Sequence, residues 1–80
     1  MANFTETTIA VFGEQDDFRI VQATGQDVVI NIWNGVSFES KGETITSGTS
    51  KELITKGAKF QFVIPAGGSF YVQGHVEVGS

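Results

Sequence analysis

The chain has 80 residues, 40% of them hydrophobic, with seven Phe but only one His, one Tyr, one Trp and no Cys. That is the apolar load of a packed domain with almost none of the inventory from which a nucleophile, base or metal cluster is built, so the composition argues against an enzyme. Nine acidic residues against five basic ones give a formal charge of −4, the wrong sign for nucleic acid, whose affinity comes largely from basic groups neutralising phosphates.

Binding or assembly remains as the function class. A domain of this length buries only about 60% of the surface its unfolded chain exposes, and such scaffolds are usually stapled by disulfides, a structural metal or oligomerisation. Without Cys, disulfides are impossible and tetrahedral zinc is disfavoured, which leaves self-association or docking onto a larger body. No apolar run approaches the roughly 20 residues of a membrane span, and Met1-Ala2-Asn3 does not open a signal peptide. The expectation is one β-rich domain over residues 1–80, full-length, made in the cytoplasm and with no membrane partner.

In chain order, residues 1–8 are polar apart from Phe4 and read either as an arm that reaches a partner, with Phe4 as its anchor, or as a frayed end or the start of the first strand. A strand is expected over residues 5–12. Glu14, Asp16 and Asp17 follow in a turn too short for the oxygen count that calcium requires, so a solvated acidic loop is expected there. Over residues 17–23 the alternation of Phe18, Ile20 and Gln22 with Arg19, Val21 and Ala23 has the period of a strand.

Residues 27–33 form the next strand, and Asn34-Gly35 after it is a strong signal for a two-residue type I′ hairpin into residues 36–40. That register sets Trp33 opposite Val36, Ile32 opposite Ser37, Asn31 opposite Phe38 and Ile30 opposite Glu39, so Val29, Trp33, Val36 and Phe38 share a face. The other face carries Val28, Ile30 and Ile32. A strand apolar on both faces reads as central and covered twice, the second cover coming from another subunit or from the chain's own loops.

Shorter strands are expected over residues 43–46 and 52–55. The capping-box pattern Thr49-Ser50-Lys51-Glu52 has too short an apolar run behind it for more than a turn of helix. Phe60, Phe62 and Ile64 alternate with Lys59, Gln61 and Val63 in a strand over residues 58–64. Pro65-Ala66-Gly67-Gly68 then reads as the turn of a second hairpin into residues 69–73, bringing Ile64 near Ser69. The glycine pair lacks the helix N-terminus and Lys that phosphate binding would need. In the last strand, over residues 75–78, His75 stands alone beside Glu77 and reads as a surface residue.

Asn3-Phe4-Thr5 matches a glycosylation sequon but has no secretory signal before it. Ser37, Ser47 and Ser69 have no base nearby in sequence and no nucleophile elbow around them. Trp33 and Tyr71 invite a carbohydrate-binding reading, as aromatic platforms for sugar rings. Because the hairpin register groups Trp33 with Val36 and Phe38, core packing is its expected role. The fold expected from all this is all-β: a small antiparallel sandwich or barrel-like domain with essentially no helix.

Three segments carry a resemblance: Val28-Val29-Ile30-Asn31-Ile32-Trp33-Asn34-Gly35-Val36-Ser37-Phe38, then Ile45-Thr46-Ser47, then Gly57-Ala58-Lys59-Phe60-Gln61-Phe62-Val63-Ile64-Pro65-Ala66-Gly67-Gly68. Together, somewhat more than half the chain, they resemble the small all-β structural proteins of tailed bacteriophages, in particular capsid decoration, or cement, proteins. The resemblance implies a virion protein on the capsid exterior, a homotrimer that bridges major capsid proteins, without enzymatic activity or cofactors. It carries over no catalytic or binding residue. A carbohydrate-binding module or adhesin, or another small phage head or tail protein, is the alternative. Phe4, Ile30, Ile32 and Tyr71 are the candidate partner-interface residues.

Overall fold

The computed structural model describes residues 2–79. Alternation of apolar and polar side chains builds strands whose inner positions are shielded and whose outer positions are wet. They are β1 Ala2–Phe4, β2 Thr8–Val11, β3 Phe18–Thr24, β4 Val28–Trp33, β5 Phe38–Ile45, β6 Ser50–Ile54, β7 Lys59–Val63, β8 Ser69–Val72 and β9 Glu77–Val78. No helix occurs among the described residues. At the capping-box pattern Thr49 Oγ1 donates to the Thr46 carbonyl at 2.6 Å, which closes a turn into β6.

Two antiparallel sheets result, ordered β1-β8-β3-β6 and β5-β4-β7-β2-β9, as expected of a small β-sandwich. One apolar core lies between them, built from Val21, Ala23, Leu53, Phe70 and Val72 on the first sheet and Ala10, Val28, Ile30, Ile45, Phe60 and Phe62 on the second. Phe62 meets Phe70 across the gap with ring centroids 4.8 Å apart, and Phe60 stacks beside Phe62 at 6.1 Å. No buried side-chain polar atom among the described residues lacks a partner. Thr55, fully buried, donates through Oγ1 to the Asp16 carbonyl at 2.8 Å.

The connections differ from the expected hairpins. Only β4 and β5 are consecutive strands within one sheet; every other link between described strands crosses to the opposite sheet. The turn at residues 65–68 is present, with Gly68 N–H donating to the Pro65 carbonyl at 3.0 Å and Gly67 at φ +85°. It nevertheless carries the chain from β7 in one sheet to β8 in the other, so it makes no hairpin. The reason is the core, because folding β8 over β7 sets Phe70 against Phe62, a contact that pairing within one sheet would not provide. The glycines of this turn also permit close packing. A Cβ on Gly25 would lie 2.5 Å from the Gly67 carbonyl oxygen, and one on Gly68 would lie 2.9 Å from Gln26 Cβ.

In the β4–β5 hairpin Trp33 pairs with Phe38, Ile32 with Glu39 and Asn31 with Ser40, two residues away from the expected register. A type I′ turn needs positive φ at both central residues. Here Gly35 has φ +100° and no residue other than glycine among those described has positive φ. Asn34 instead caps the turn, its Oδ1 accepting from Val36 N–H at 2.8 Å and Ser37 N–H at 2.9 Å. The reversal moves onto Gly35 and Val36, and Val36 is left 84% exposed. The two segments expected over residues 36–40 and 43–46 form one strand, because a bulge between the Asn31–Ser40 and Ile30–Glu43 pairs absorbs Lys41 and Gly42. At this rim Glu43 takes ion pairs from Lys51 at 3.1 Å and Lys41 at 3.6 Å, tying edge strand β5 to edge strand β6.

Of the residues 1–8 expected as an arm or as the start of the first strand, Ala2–Phe4 form strand β1, in which Asn3 pairs with Tyr71 and Phe4 with Phe70 on β8. Met1 lies outside the described residues.

Candidate interaction surface

The second face of β4 stays open, so the chain's own loops do not supply the second cover. The sign of the face is also the reverse of the expected one. Val28 and Ile30 are fully buried in the core, whereas Val29 and Trp33 point outward and are 37% and 38% exposed. Trp33 is therefore not a core residue. Register alone assigns positions to two alternating sets; here the set lying over Phe60 and Phe62, through the Ile32–Phe60 and Ile30–Phe62 pairs, is the buried one.

The outer face of the five-stranded sheet consists of three rows across the strands. The first runs through the paired Phe38 and Trp33 to Lys59, Val11 and Glu77. The second is Ser40, Asn31, Gln61 and Ile9, and the third is Thr44, Val29 and Val63. In the first row Trp33 and Phe38 meet edge to face at 5.1 Å, and Lys59 Nζ sits 4.8 Å from the Trp33 centroid and 5.9 Å from that of Phe38. A cation over an indole face is held there by the ring quadrupole. In the middle row Asn31 Nδ2 donates to Gln61 Oε1 at 3.0 Å. The result is a mixed surface, in which Lys59 separates Trp33 from Val11 and the Asn31–Gln61 pair separates Trp33 from Val29. No cavity or cleft opens among the described residues.

The four candidate interface residues are scattered. Ile30 is sealed in the core and unavailable to a partner, a correction that follows from the reversed face of β4. Ile32 and Phe4 are partly buried and pack against the same core. Tyr71 lies outward between Asn3 and Gln22 on the four-stranded sheet, the sheet opposite Trp33, so the two rings form no common platform. A second apolar patch, on that sheet, joins Phe18 and its cross-strand partner Ile54 to Ile20, with exposures of 48%, 61% and 36%.

The acidic loop before β3 has a structural use that its sequence does not announce. The Arg19 guanidinium reaches Asp16 Oδ1 at 2.8 Å and donates to the Gln73 and His75 carbonyls at 2.6 and 2.8 Å. It also lies 5.3 Å from the Phe12 ring centroid. One side chain thereby holds the loop, the end of β2 and the segment after β8. The hydrogen bond from Arg19 is the main cause that lowers the Asp16 pKa below its ordinary value, with the guanidinium charge and a backbone bond at Gly13 adding to it against some desolvation. His75 is exposed and contributes a carbonyl rather than its ring to these contacts. No group of three or more potential metal ligands gathers among the described residues. Neither Arg19 nor the outward Trp33 was legible in advance, because each depends on strands far apart in sequence.

The class of protein defined by these features is an all-β sandwich with exposed apolar side chains on both of its sheets. Comparison with protein-family models, curated proteins and solved structures gave no match to this chain.

Proposed function

We propose that this chain is a non-enzymatic structural protein that self-associates and adds contact area to a larger assembly, specifically a phage capsid decoration protein bridging major capsid proteins on the capsid exterior. The observation that supports assembly is the outer face of the five-stranded sheet, where Val11, Val29 and Trp33 are each 37–41% exposed on one surface. Apolar side chains left exposed on one sheet face, here interrupted by Lys59 and by the Asn31–Gln61 pair, favour docking of a partner. The capsid as destination rests on the sequence resemblance.

Mass spectrometry of purified virions tests the destination: the reading expects the chain in the particle at a copy number matched to the capsid lattice. Particles made without it should assemble and then break at lower temperature or osmotic stress than complete ones. Absence from the virion, or failure of capsids to assemble at all without it, refutes the decoration role.

Trp33 also favours a second reading, carbohydrate binding, because its ring is outward instead of in the core. A glycan array separates the two, since loss of glycan binding in Trp33→Ala with an unchanged fold would assign the face to sugar.

A further inference from the structure

We infer that Asn34 is a self-modifying site: the backbone nitrogen of Gly35 attacks the Asn34 side-chain amide, expels ammonia and leaves a succinimide that water opens to aspartate or isoaspartate at the tip of the β4–β5 hairpin. This deamidation is independent of the proposed function, and its only co-reactant is water.

The reaction needs a reachable nucleophile, a polarised carbonyl carbon and access for solvent. Asn34, Gly35 and Val36 are all exposed. Gly35 has no Cβ, and the space where one would stand is open, with nothing within 4 Å, so no side chain obstructs the approach of its nitrogen to Asn34 Cγ. That nitrogen is also unengaged, since the backbone donors of the turn among the described residues are Asn34, Val36 and Ser37. Asn34 Oδ1 accepts from Val36 N–H at 2.8 Å and from Ser37 N–H at 2.9 Å. Negative charge develops on this oxygen as the Gly35 nitrogen bonds to Cγ, and two backbone donors at such distances are the arrangement that stabilises an oxyanion.

Solvent takes the Gly35 amide proton as the bond to Cγ forms. The Cγ–Nδ2 bond then breaks, and Nδ2 leaves as ammonia after gaining a proton from solvent. Water adding at Cγ restores the normal main chain with an aspartate side chain, whereas water adding at the Asn34 main-chain carbonyl carbon routes the chain through Cβ and Cγ as isoaspartate. By either route one amide and one water become one carboxylate and one ammonium ion, and the formal charge of the chain goes from −4 to −5.

The two products act differently on the turn. Aspartate keeps an acceptor for the Val36 and Ser37 N–H groups, but it replaces the Nδ2 donor, 3.3 Å from Glu39 Oε2, with an oxygen facing a carboxylate. Both groups are exposed, so that repulsion is weak. Isoaspartate adds a main-chain atom inside the ring closed by the bond from Asn34 N–H to the Ser37 carbonyl at 3.1 Å. The next pair along the hairpin is Trp33 with Phe38, and their edge-to-face contact at 5.1 Å loosens with the turn. Asn3 and Asn31 are internal references: each lies within a strand and precedes a bulky side chain, Phe4 or Ile32, and the Asn31 amide is bonded to Gln61.

The test holds the purified chain in mildly alkaline buffer, folded in one arm and unfolded in urea in the other, and follows each asparagine by peptide mass mapping with isoaspartate detection. Asn34 should convert at least as fast in the folded arm as in urea, with Asn3 and Asn31 intact in the folded arm. Trp33 is the only tryptophan in the sequence, and its emission in the separated isoaspartate form should shift to the red of the parent chain. Asn34→Asp, which carries the charge without the added main-chain atom, should keep the parent emission. An Asn34 that persists in the folded chain while converting in urea overturns the inference, because the turn then protects the amide. So does conversion of Asn3 or Asn31 at the rate of Asn34, or an isoaspartate form whose emission matches the parent. A red shift of equal size in Asn34→Asp gives the loosening to charge and overturns the role of the lengthened main chain.

Discussion

Gly25 is where a single added carbon should do most damage outside the core. It has φ +84°, and a Cβ there would stand 2.5 Å from the backbone oxygen of Gly67, which cannot swing aside as a flexible side chain would. Left-handed backbone costs a residue with a Cβ about 1–2 kcal/mol, and forcing the two turns apart adds about 1–3 kcal/mol of overpacking. Gly35 is the matched control: φ is +100°, with nothing within 4 Å of the added carbon. Gly35→Ala should therefore cost only the backbone component, about 1–2 kcal/mol. Both substitutions lower the entropy of the unfolded chain equally, so that contribution cancels in the comparison. In urea denaturation Gly25→Ala should be less stable than Gly35→Ala by about 1–3 kcal/mol. In a domain of this size that difference is a Tm gap of roughly 5–20 °C. Equal losses, within about 0.5 kcal/mol, would refute the close approach of the two turns and with it the explanation of why the β7–β8 link can cross between sheets.

Phe62→Ala, which empties a position in the aromatic stack of the core, should cost about 3–5 kcal/mol, whereas Trp33→Ala, on the open face, should cost about 1–2 kcal/mol including its loss of the Lys59 contact; both are read from thermal melts. Arg19→Met should destabilise the fold by about 2–3 kcal/mol, since it strips a charged donor from the Gln73 and His75 carbonyls, and hydrogen exchange should quicken first in residues 73–76. Asp16 has its pKa held below its ordinary 3.8, so its contribution to stability is fully present above that value and is lost as pH falls through the lower, folded one. Melts between pH 5 and pH 2, a window chosen to bracket about 3.8, should show this acid-dependent loss in the parent chain and not in Arg19→Met. An identical acid profile in both would refute the pairing.

Much of the architecture was legible in the chain itself. Period-two alternation identifies which residues share a face, and for β3, β4 and β7 those sets are the ones found. Glycines marked the reversals at Gly25, Gly35, Gly48, Gly57 and Gly67, all of which adopt positive φ. The absence of sustained helical spacing sufficed for an all-β fold.

Three things required the tertiary structure. Alternation divides β4 into two sets, and although Asn31 stands in the set of Val29 and Trp33, it is the placement beside Phe60 and Phe62 that decides that Ile30 goes in and Trp33 goes out. A turn sequence such as Pro65-Ala66-Gly67-Gly68 specifies a change of direction, while the choice between pairing beside β7 and crossing over it is settled by which route brings Phe70 onto Phe62. Arg19 is an ordinary surface-type residue until β8 and its following segment bring the carbonyls of Gln73 and His75 within reach. The physical reason is common to all three: local sequence governs backbone conformation within a few residues, whereas the side that is buried, the sheet that a strand joins and the partner of a charge depend on contacts between segments that the chain itself holds far apart.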